Sequence, residues 1–413
     1  MEPQNNEHLK KSAFGGMMWS MAERVCARLV SLVVSVVLAR ILMPEDYSLV
    51  SIVAIFFVLC NVFISGGLNT SLIQKKDADE LDYATVLWTT LAMAAVMYAG
   101  MFLCAPLISG LYGKPALIPV IRVMALTFFI NAFKSVLSAY TSSHLQFRKF
   151  FFSTIIGTVI SAFVGIFMAL RGFGAWALVA QEMTNSLIDT LVLFFTTRLK
   201  ISFRFSGQRL KSLFAFGSRN FLSSMLTVIY DQLTPLIVGL RFTTEDLAFY
   251  TKGKSFPELI NSTLSDTMAT VLFPVMAQVQ DSTDHIRGIT RRYIKTASYV
   301  IFPVMLGMFA VSDAFLSLLL TEKWLPSAAY IRIFCVSYMF NLVNVGNIQA
   351  IRALGRSDIV LKLEVLKKGI YLAVLCAFLF LSNRPQLLAV SSVVCTLIAV
   401  ALNAFPNRKL IGY

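Results

Sequence analysis

The chain has 413 residues, 57% hydrophobic and 14% charged, with a formal net charge of +14 and a mean hydropathy of +0.72. Soluble domains carry about 25% charged residues, so this composition excludes one and describes a polytopic membrane protein. The basic excess, which in a soluble chain would point to nucleic acid, is accounted for below by the loops, and no nucleic acid is expected.

At about twenty apolar residues per crossing, spans are predicted at 14–42, 48–73, 83–108, 116–142, 150–170, 173–197, 212–241, 246–277, 291–312, 326–353, 358–381 and 386–405. The first carries Glu23, Arg24 and Arg28. A charge near the bilayer centre costs roughly 2.5–3.5 kcal/mol on insertion scales, so such residues face a water-filled cavity or a partner helix. Steps of three or four residues join Ser20, Arg24, Arg28, Ser31 and Ser35 into one polar stripe. Two accounts stay open. Either Arg24 snorkels to the headgroups while Arg28 pairs with an acid, or both line a cavity for an anion, since Arg suits bidentate contact with phosphate. The span at 246–277 is the most diluted, by Lys252, Lys254, Glu258 and Asp266.

Alternate loops separate by charge. One set holds Lys10, Lys11, Lys75, Lys76, Arg148, Lys149, the run from Arg198 to Lys211, Arg287, Arg291, Arg292, Arg352, Arg356, Arg408 and Lys409; the other holds only Arg40, Lys114, Arg171, Arg241, Lys323 and Arg384. The positive-inside rule places the first set in the cytoplasm, with both termini. In a bacterium this is the inner membrane. Cys26, Cys60, Cys104, Cys335, Cys376 and Cys395 lie in or beside apolar runs without CxxC spacing and are expected as small core hydrophobes. His8, His144 and His285 are scattered, and no GxxxxGK[ST] loop occurs. No metal site, catalytic set or nucleotide hydrolysis is expected.

The chain repeats itself. Phe14-Gly15, Arg40 and Glu45-Asp46 return as Phe216-Gly217, Arg241 and Glu245-Asp246; Ile121-Arg122-Val123 and Asn131 return as Ile331-Arg332-Ile333 and Asn341. An offset growing from about 201 to about 210 residues marks two halves inserted in the same direction. The expected fold is all-α, with twelve transmembrane helices in two six-helix lobes, 1–197 and 212–413, joined by a basic cytoplasmic linker at 198–211.

Arg24, Arg28, Lys134, Arg219, Lys252 and Lys254 are the expected cationic lining of an anion-binding cavity. Glu23, Asp231 and Glu258 are candidates for charge balance or ion coupling, and Glu182, Asp189 and Asp266 are further acids in spans. Asn61, Asn220, Thr227 and Asn341 are expected as polar lining. Each Ser or Asn has an equally simple account in helix-to-helix hydrogen bonding. A two-lobed membrane protein without an ATP motif fits an alternating-access carrier driven by an ion gradient, such as Na⁺ or H⁺, by the membrane potential or by its substrate's own gradient, with no bound cofactor.

Several motifs carry a resemblance across nearly the whole chain: Val37-Leu-Ala-Arg-Ile-Leu-Met-Pro-Glu-Asp-Tyr47, Gly67-Leu-Asn-Thr-Ser-Leu-Ile-Gln-Lys-Lys-Asp77, Gly172-Phe-Gly-Ala-Trp-Ala-Leu-Val-Ala-Gln181, Leu272-Phe-Pro274, Glu322-Lys-Trp-Leu-Pro326 and Ala353-Leu-Gly-Arg-Ser-Asp358. In this order they resemble the polysaccharide transporter family of the multidrug/oligosaccharidyl-lipid/polysaccharide (MOP) superfamily, of the capsule, O-antigen and colanic-acid type. The resemblance implies a flippase for an undecaprenyl-diphosphate-linked oligosaccharide, working as a monomer in membrane lipid beside a polysaccharide polymerase. Its diphosphate would be the anion. Lys252, in Phe249-Tyr-Thr-Lys-Gly-Lys254, stands where the family has an Arg. Many relatives have fourteen spans. Two other readings are kept: a multidrug exporter of the related branch, which would want an acidic cavity, and a membrane glycosyltransferase or polymerase, which would want a sizeable outer loop.

Overall fold

The structure is a computed structural model that describes residues 25–75, 77–144, 146–197, 199, 202–277, 279, 282–381 and 383–412, with backbone alone at 216, 219, 266, 267, 269–271, 273, 274, 277 and 357. Among the described residues there is no strand. The helices are α1 at 25–41, α2 (Pro44–Ser65), α3 (Leu68–Gln74), α4 (Glu80–Tyr112), α5 (Leu117–Met124), α6 (Thr127–Ser143), α7 (Phe147–Leu170), α8 (Ala175–Thr197), α9 (Gly207–Arg241), α10 (Thr244–Ala277), α11 (Thr283–Ala310), α12 (Ser312–Leu319), α13 (Ser327–Met339), α14 (Asn341–Ala353), α15 (Ser357–Leu381) and α16 (Pro385–Leu410).

Among the described residues, eight stretches are long and apolar enough to cross a membrane: α2, α4, α5 with α6, α7, the Asn220–Arg241 part of α9, α11, α13 with α14, and α16. With α1, α8, α10 and α15 they make twelve rods in the order of the predicted spans. The diluted span at 246–277 is one continuous helix, α10. The ends differ from the hydropathy reading where polar residues prolong a helix. Thus α11 begins at Thr283, capped by the Ser282 side chain, which accepts from the His285 N–H. Hydropathy also hides breaks. Gly66 and Gly67, both left-handed at φ 52° and 72°, separate α2 from α3, a conformation glycine adopts without the Cβ penalty.

The repeated Glu-Asp motif is a helix start in each half. Asp46 Oδ2 accepts from the Met43 N–H at 3.1 Å, and Asp246 Oδ2 accepts from the Thr243 N–H at 3.2 Å. Acidic residues in a first turn satisfy open N–H groups and meet the positive end of the helix dipole.

Packing divides the chain into two compact units, Met1–Leu240 and Arg241–Tyr413. Almost all of α9 therefore belongs with the first unit, although the repeat groups it with the second half. In the first unit α7 meets α8 through a stripe of Ser153, Gly157, Ser161, Gly165 and Ala169, all buried and one turn apart. Small side chains let two backbones approach where lipid offers no hydrophobic drive. A methyl built at Gly165 would come within 2.9 Å of Gln181 Cβ, and one at Gly157 within 3.1 Å of Asp189 Cβ. The cysteines are less uniformly core than expected. Cys335 is buried while Cys104 and Cys376 are exposed, which costs an apolar thiol little in a helix that can face lipid.

Candidate functional site

A polar layer crosses the first unit where α2, α6 and α8 meet. Asn61 of α2 anchors its amide on its own helix, donating to the Phe57 carbonyl at 2.9 Å. Its Oδ1 accepts from Asn131 Nδ2 of α6 at 3.2 Å, and Asn131 Oδ1 accepts from Ser186 Oγ of α8 at 2.7 Å. One turn along both helices, Lys134 Nζ lies 2.5 Å from Asp189 Oδ2. The Asp189 side chain is 7% exposed and that of Lys134 34%. The layer thus links amide, amide and hydroxyl, and ends in an ion pair between α6 and α8 whose cation stays partly open.

The second unit builds the same layer from the repeat. Asn341 Nδ2 of α14 donates to Asn261 Oδ1 of α10, again at 3.2 Å. One turn on, Asn403 Nδ2 of α16 donates to Asn344 Oδ1 at 3.1 Å, and Asn407 Nδ2 donates to Asn347 Oδ1 at 3.0 Å. Asn347, Asn403 and Asn407 are fully buried.

Of the residues expected to form a cationic lining, Arg24 lies outside the described residues, as does the side chain of Arg219; Glu23, expected for charge balance, lies outside them too. Arg28 is half-buried on α1. Lys134 is the cation of the first polar layer. Lys252 is buried on α10 with its ammonium 5.7 Å from the centre of the Trp324 ring, and Lys254 pairs with Glu258 of its own helix at 3.8 Å. On α9, Asp231 is exposed and Thr227 donates back to the Ser223 carbonyl at 3.0 Å. Asn220 Nδ2 donates to Thr70 Oγ1 at 3.1 Å and so ties α9 to α3. The structure brings Asn61 and Lys134 into one layer and places Asn341 in its counterpart. Ser186 and Asn403 were missed; Asn261 was legible on the polar face of its span, with Lys254, Glu258 and Ser265, and Asp189 only as one of the acids in spans. The usable signal was the i, i+3 spacing shared by Asn131 with Lys134 and by Ser186 with Asp189, which puts each pair on one helix face.

The linear motifs turn out to meet each other. Gly174, at φ 55°, lies against Asp46, where an added methyl would come 2.7 Å from Oδ1. Gly67 and Gly217 touch backbone to backbone, beside a 2.9 Å bond from Ser71 Oγ to the Leu213 carbonyl. In the second unit Phe249 stacks edge-on against Trp324 at 6.0 Å, and a methyl at Gly253 would come 2.5 Å from Tyr330 Cβ. These motifs hold helices together. The first unit also has a groove of about 910 Å³ lined by Arg148, Lys149, Phe152, Ile156, Val192 and Phe195, among others, sharing no residue with the polar layer.

Residues 37–329 match the profile of a family described as "Polysaccharide biosynthesis protein". The "Succinoglycan biosynthesis transport protein ExoT" of Rhizobium meliloti (strain 1021) is 25% identical over 307 residues, which cover 74% of this chain and 62% of that protein. Among solved structures, "Lipid II flippase MurJ, inward closed conformation" superposes with a TM-score of 0.76 at 12% identity, over 95% of this chain and 87% of that one. An inward-facing multidrug resistance MATE family transporter of the MOP superfamily gives 0.71 at 12% identity, over 95% and 98%. At such identities the likeness is one of fold.

Proposed function

Because the chain belongs to the polysaccharide biosynthesis protein family and has the MOP transporter fold, we propose that it is a flippase for surface polysaccharide synthesis. It moves an undecaprenyl-diphosphate-linked oligosaccharide repeat unit from the cytoplasmic to the outer leaflet by alternating access. Capsule, O-antigen and exopolysaccharide units are the products this would serve. The observation that carries the reading is Lys134, a partly open ammonium inside a membrane-spanning segment. An intramembrane lysine facing lipid costs several kcal/mol, so it is kept where it meets water, an acid or an anionic substrate. A lipid diphosphate supplies such an anion at that depth. ExoT, a transport protein by name, and MurJ, a lipid II flippase by name, support the same direction.

On this reading the protein is a carrier and no enzyme, resident in the inner membrane with both termini cytoplasmic, acting as a monomer beside a polysaccharide polymerase. Na⁺ or H⁺ entry is the proposed driving force. The test is leaflet-resolved transport in proteoliposomes loaded with the host's own lipid-linked oligosaccharide, with and without Na⁺ and pH gradients. Glycolipid appearing in the opposite leaflet is the expected result. Failure to move any glycolipid, with export of organic cations instead, would transfer the chain to the multidrug reading; release or transfer of sugar would transfer it to the enzyme class.

A further inference from the structure

The two polar layers differ in charge: one turn from the shared amide bond, the first holds an ion pair and the second holds amides. In both units a single amide bond of 3.2 Å sets the frame, Asn131 to Asn61 in the first and Asn341 to Asn261 in the second. One turn further the first unit has Lys134 with Asp189, whereas the second has Asn344 with Asn403. The helices correspond, α6 with α14 and α8 with α16, and the offset of about 210 residues that aligns Asn131 with Asn341 also takes Lys134 to Asn344; it takes Asp189 to Ala399, and the second unit reaches Asn344 from Asn403, one turn further along α16. In the second unit the corresponding helices, α14 and α16, are held by neutral amides alone at this level. Burying the Asp189 carboxylate instead carries a desolvation penalty, and ion pairs with a buried member are often no more stabilising than neutral replacements. Packing alone therefore leaves the charges unexplained.

The two ends of the pair are also unequal. Asp189 is buried on a helix whose backbone is locked by Gly157 of α7, where an added Cβ would come 3.2 Å from the Asp189 nitrogen. Lys134 keeps a third of its side-chain surface open and carries its ammonium on a flexible four-carbon stem. The anion is fixed; the cation can swing.

We propose that Asp189 is the resident counter-ion of Lys134, holding its ammonium in the polar layer until a phosphate group of the substrate takes the ammonium over. This rests on the flippase reading for the identity of the anion. No covalent bond changes and no proton leaves. A phosphate oxygen replaces the carboxylate oxygen as acceptor of the ammonium N–H, and the unpaired carboxylate left behind favours recapture of Lys134, which releases the anion. Asp189 is a positioning residue here, since it acts on the substrate only through Lys134.

The test titrates farnesyl diphosphate into the full-length protein in nanodiscs and measures flipping of lipid-linked oligosaccharide in parallel. Removing the carboxylate in contact with Lys134, with Glu182 of α8 left as a second acid that interacts with it, raises the fraction of Lys134 able to bind, so Asp189→Asn should tighten apparent affinity roughly tenfold while slowing turnover. Asp189→Glu should restore wild-type affinity. The double variant Lys134→Asn/Asp189→Asn replaces the ion pair by amides, as in the second unit; it should fold with an unchanged Tm, lose the gain in affinity and fail to flip. A folded Asp189→Asn protein with unchanged or weaker diphosphate affinity overturns the proposal. So does a double variant that flips as wild type does, which would make the pair a simple tie. If Asp189→Asn does not fold, the double variant and Asp189→Glu decide. The two readings fail separately: tighter diphosphate binding by Asp189→Asn without any glycolipid flipping by the wild type leaves the counter-ion standing and removes the flippase, and the reverse pattern does the opposite.

Discussion

Gly67 and Gly217 sit backbone against backbone, so close that a methyl on Gly67 would overlap the Gly217 carbonyl. Gly67 also has a left-handed φ of 72°, a conformation that costs an L-residue roughly 1–2 kcal/mol. On Gly217 an added Cβ would come 2.8 Å from Ser71 Oγ and 2.9 Å from the Gly67 carbonyl oxygen. We expect Gly217→Ala to lower stability by about 1–3 kcal/mol, the usual scale of overpacking, seen as a fall in Tm in detergent. Gly100→Ala, with nothing within 4 Å of the new methyl, should leave Tm level or raise it. A few residues away, Arg209 donates to Asp79 and also lies 3.2 Å from Oδ1 of Asp82, whose Oδ2 pairs with Lys75 at 2.5 Å. The Arg209 hydrogen bond holds the Asp79 carboxyl down at about 2, against an unfolded value near 3.9. A depressed carboxylate stabilises the fold above about pH 4, progressively less between about pH 4 and about pH 2, and not below. Arg209→Ala should therefore flatten the Tm against pH profile in that window relative to wild type. The difference should be small, because half of the Asp79 side chain is exposed and solvent screens the pair.

At the scale of elements, the α7–α8 pair is the bracket that fixes the candidate site. Its stripe of Ser153, Gly157, Ser161, Gly165 and Ala169 places the α8 backbone, and with it Asp189 and Ser186, against α6. A bulkier side chain must push α8 away. Gly157→Val, next to Asp189, is expected to lose both Tm and transport, with at least a tenfold fall in flipping rate in proteoliposomes. Phe163→Leu, on the exposed side of α7, should leave both within twofold of wild type. The stripe has a period of four and was open to view in the sequence, yet hydropathy averages it away because Gly, Ser and Ala lie towards the middle of the scale and are outweighed by the Phe, Ile and Val between them. The spans themselves were legible for the opposite reason, since length and mean hydropathy are sums over neighbours and do not depend on which face meets which helix. The breaks within crossings were not legible, as at Gly66-Gly67 or between α5 and α6, because an interrupted helix keeps the hydropathy of a straight one.

At the scale of the whole molecule, the sorting of basic loops predicts an orientation with Lys114 outside and Arg204 in the cytoplasm. In a background lacking the native cysteines, Lys114→Cys should react with a membrane-impermeant maleimide on intact cells, and Arg204→Cys only after permeabilisation. The reverse labelling would invert the proposed direction of flipping. The docked segment before α9 supports Arg204's side as a structured surface: Trp88 Nε1 donates to the Ser202 carbonyl at 3.3 Å, and Thr85 Oγ1 accepts from the Ser206 N–H at 3.2 Å. The amino-acid sequence alone determined that the chain is a twelve-rod membrane protein with an internal repeat, and its motif order pointed to the family, because composition, period and spacing are properties of the chain read locally. Of the charges on the first span that raised the question of an anion, Glu23, Arg24 and Arg28, the described structure holds Arg28. Tertiary structure alone decided which polar residues meet: Lys134 with Asp189 across α6 and α8, and Asn344 with Asn403 across α14 and α16. A helix period says which residues share a face, but the partner of that face depends on how closely neighbouring backbones pack, and here that is set by buried glycines and serines far along the chain.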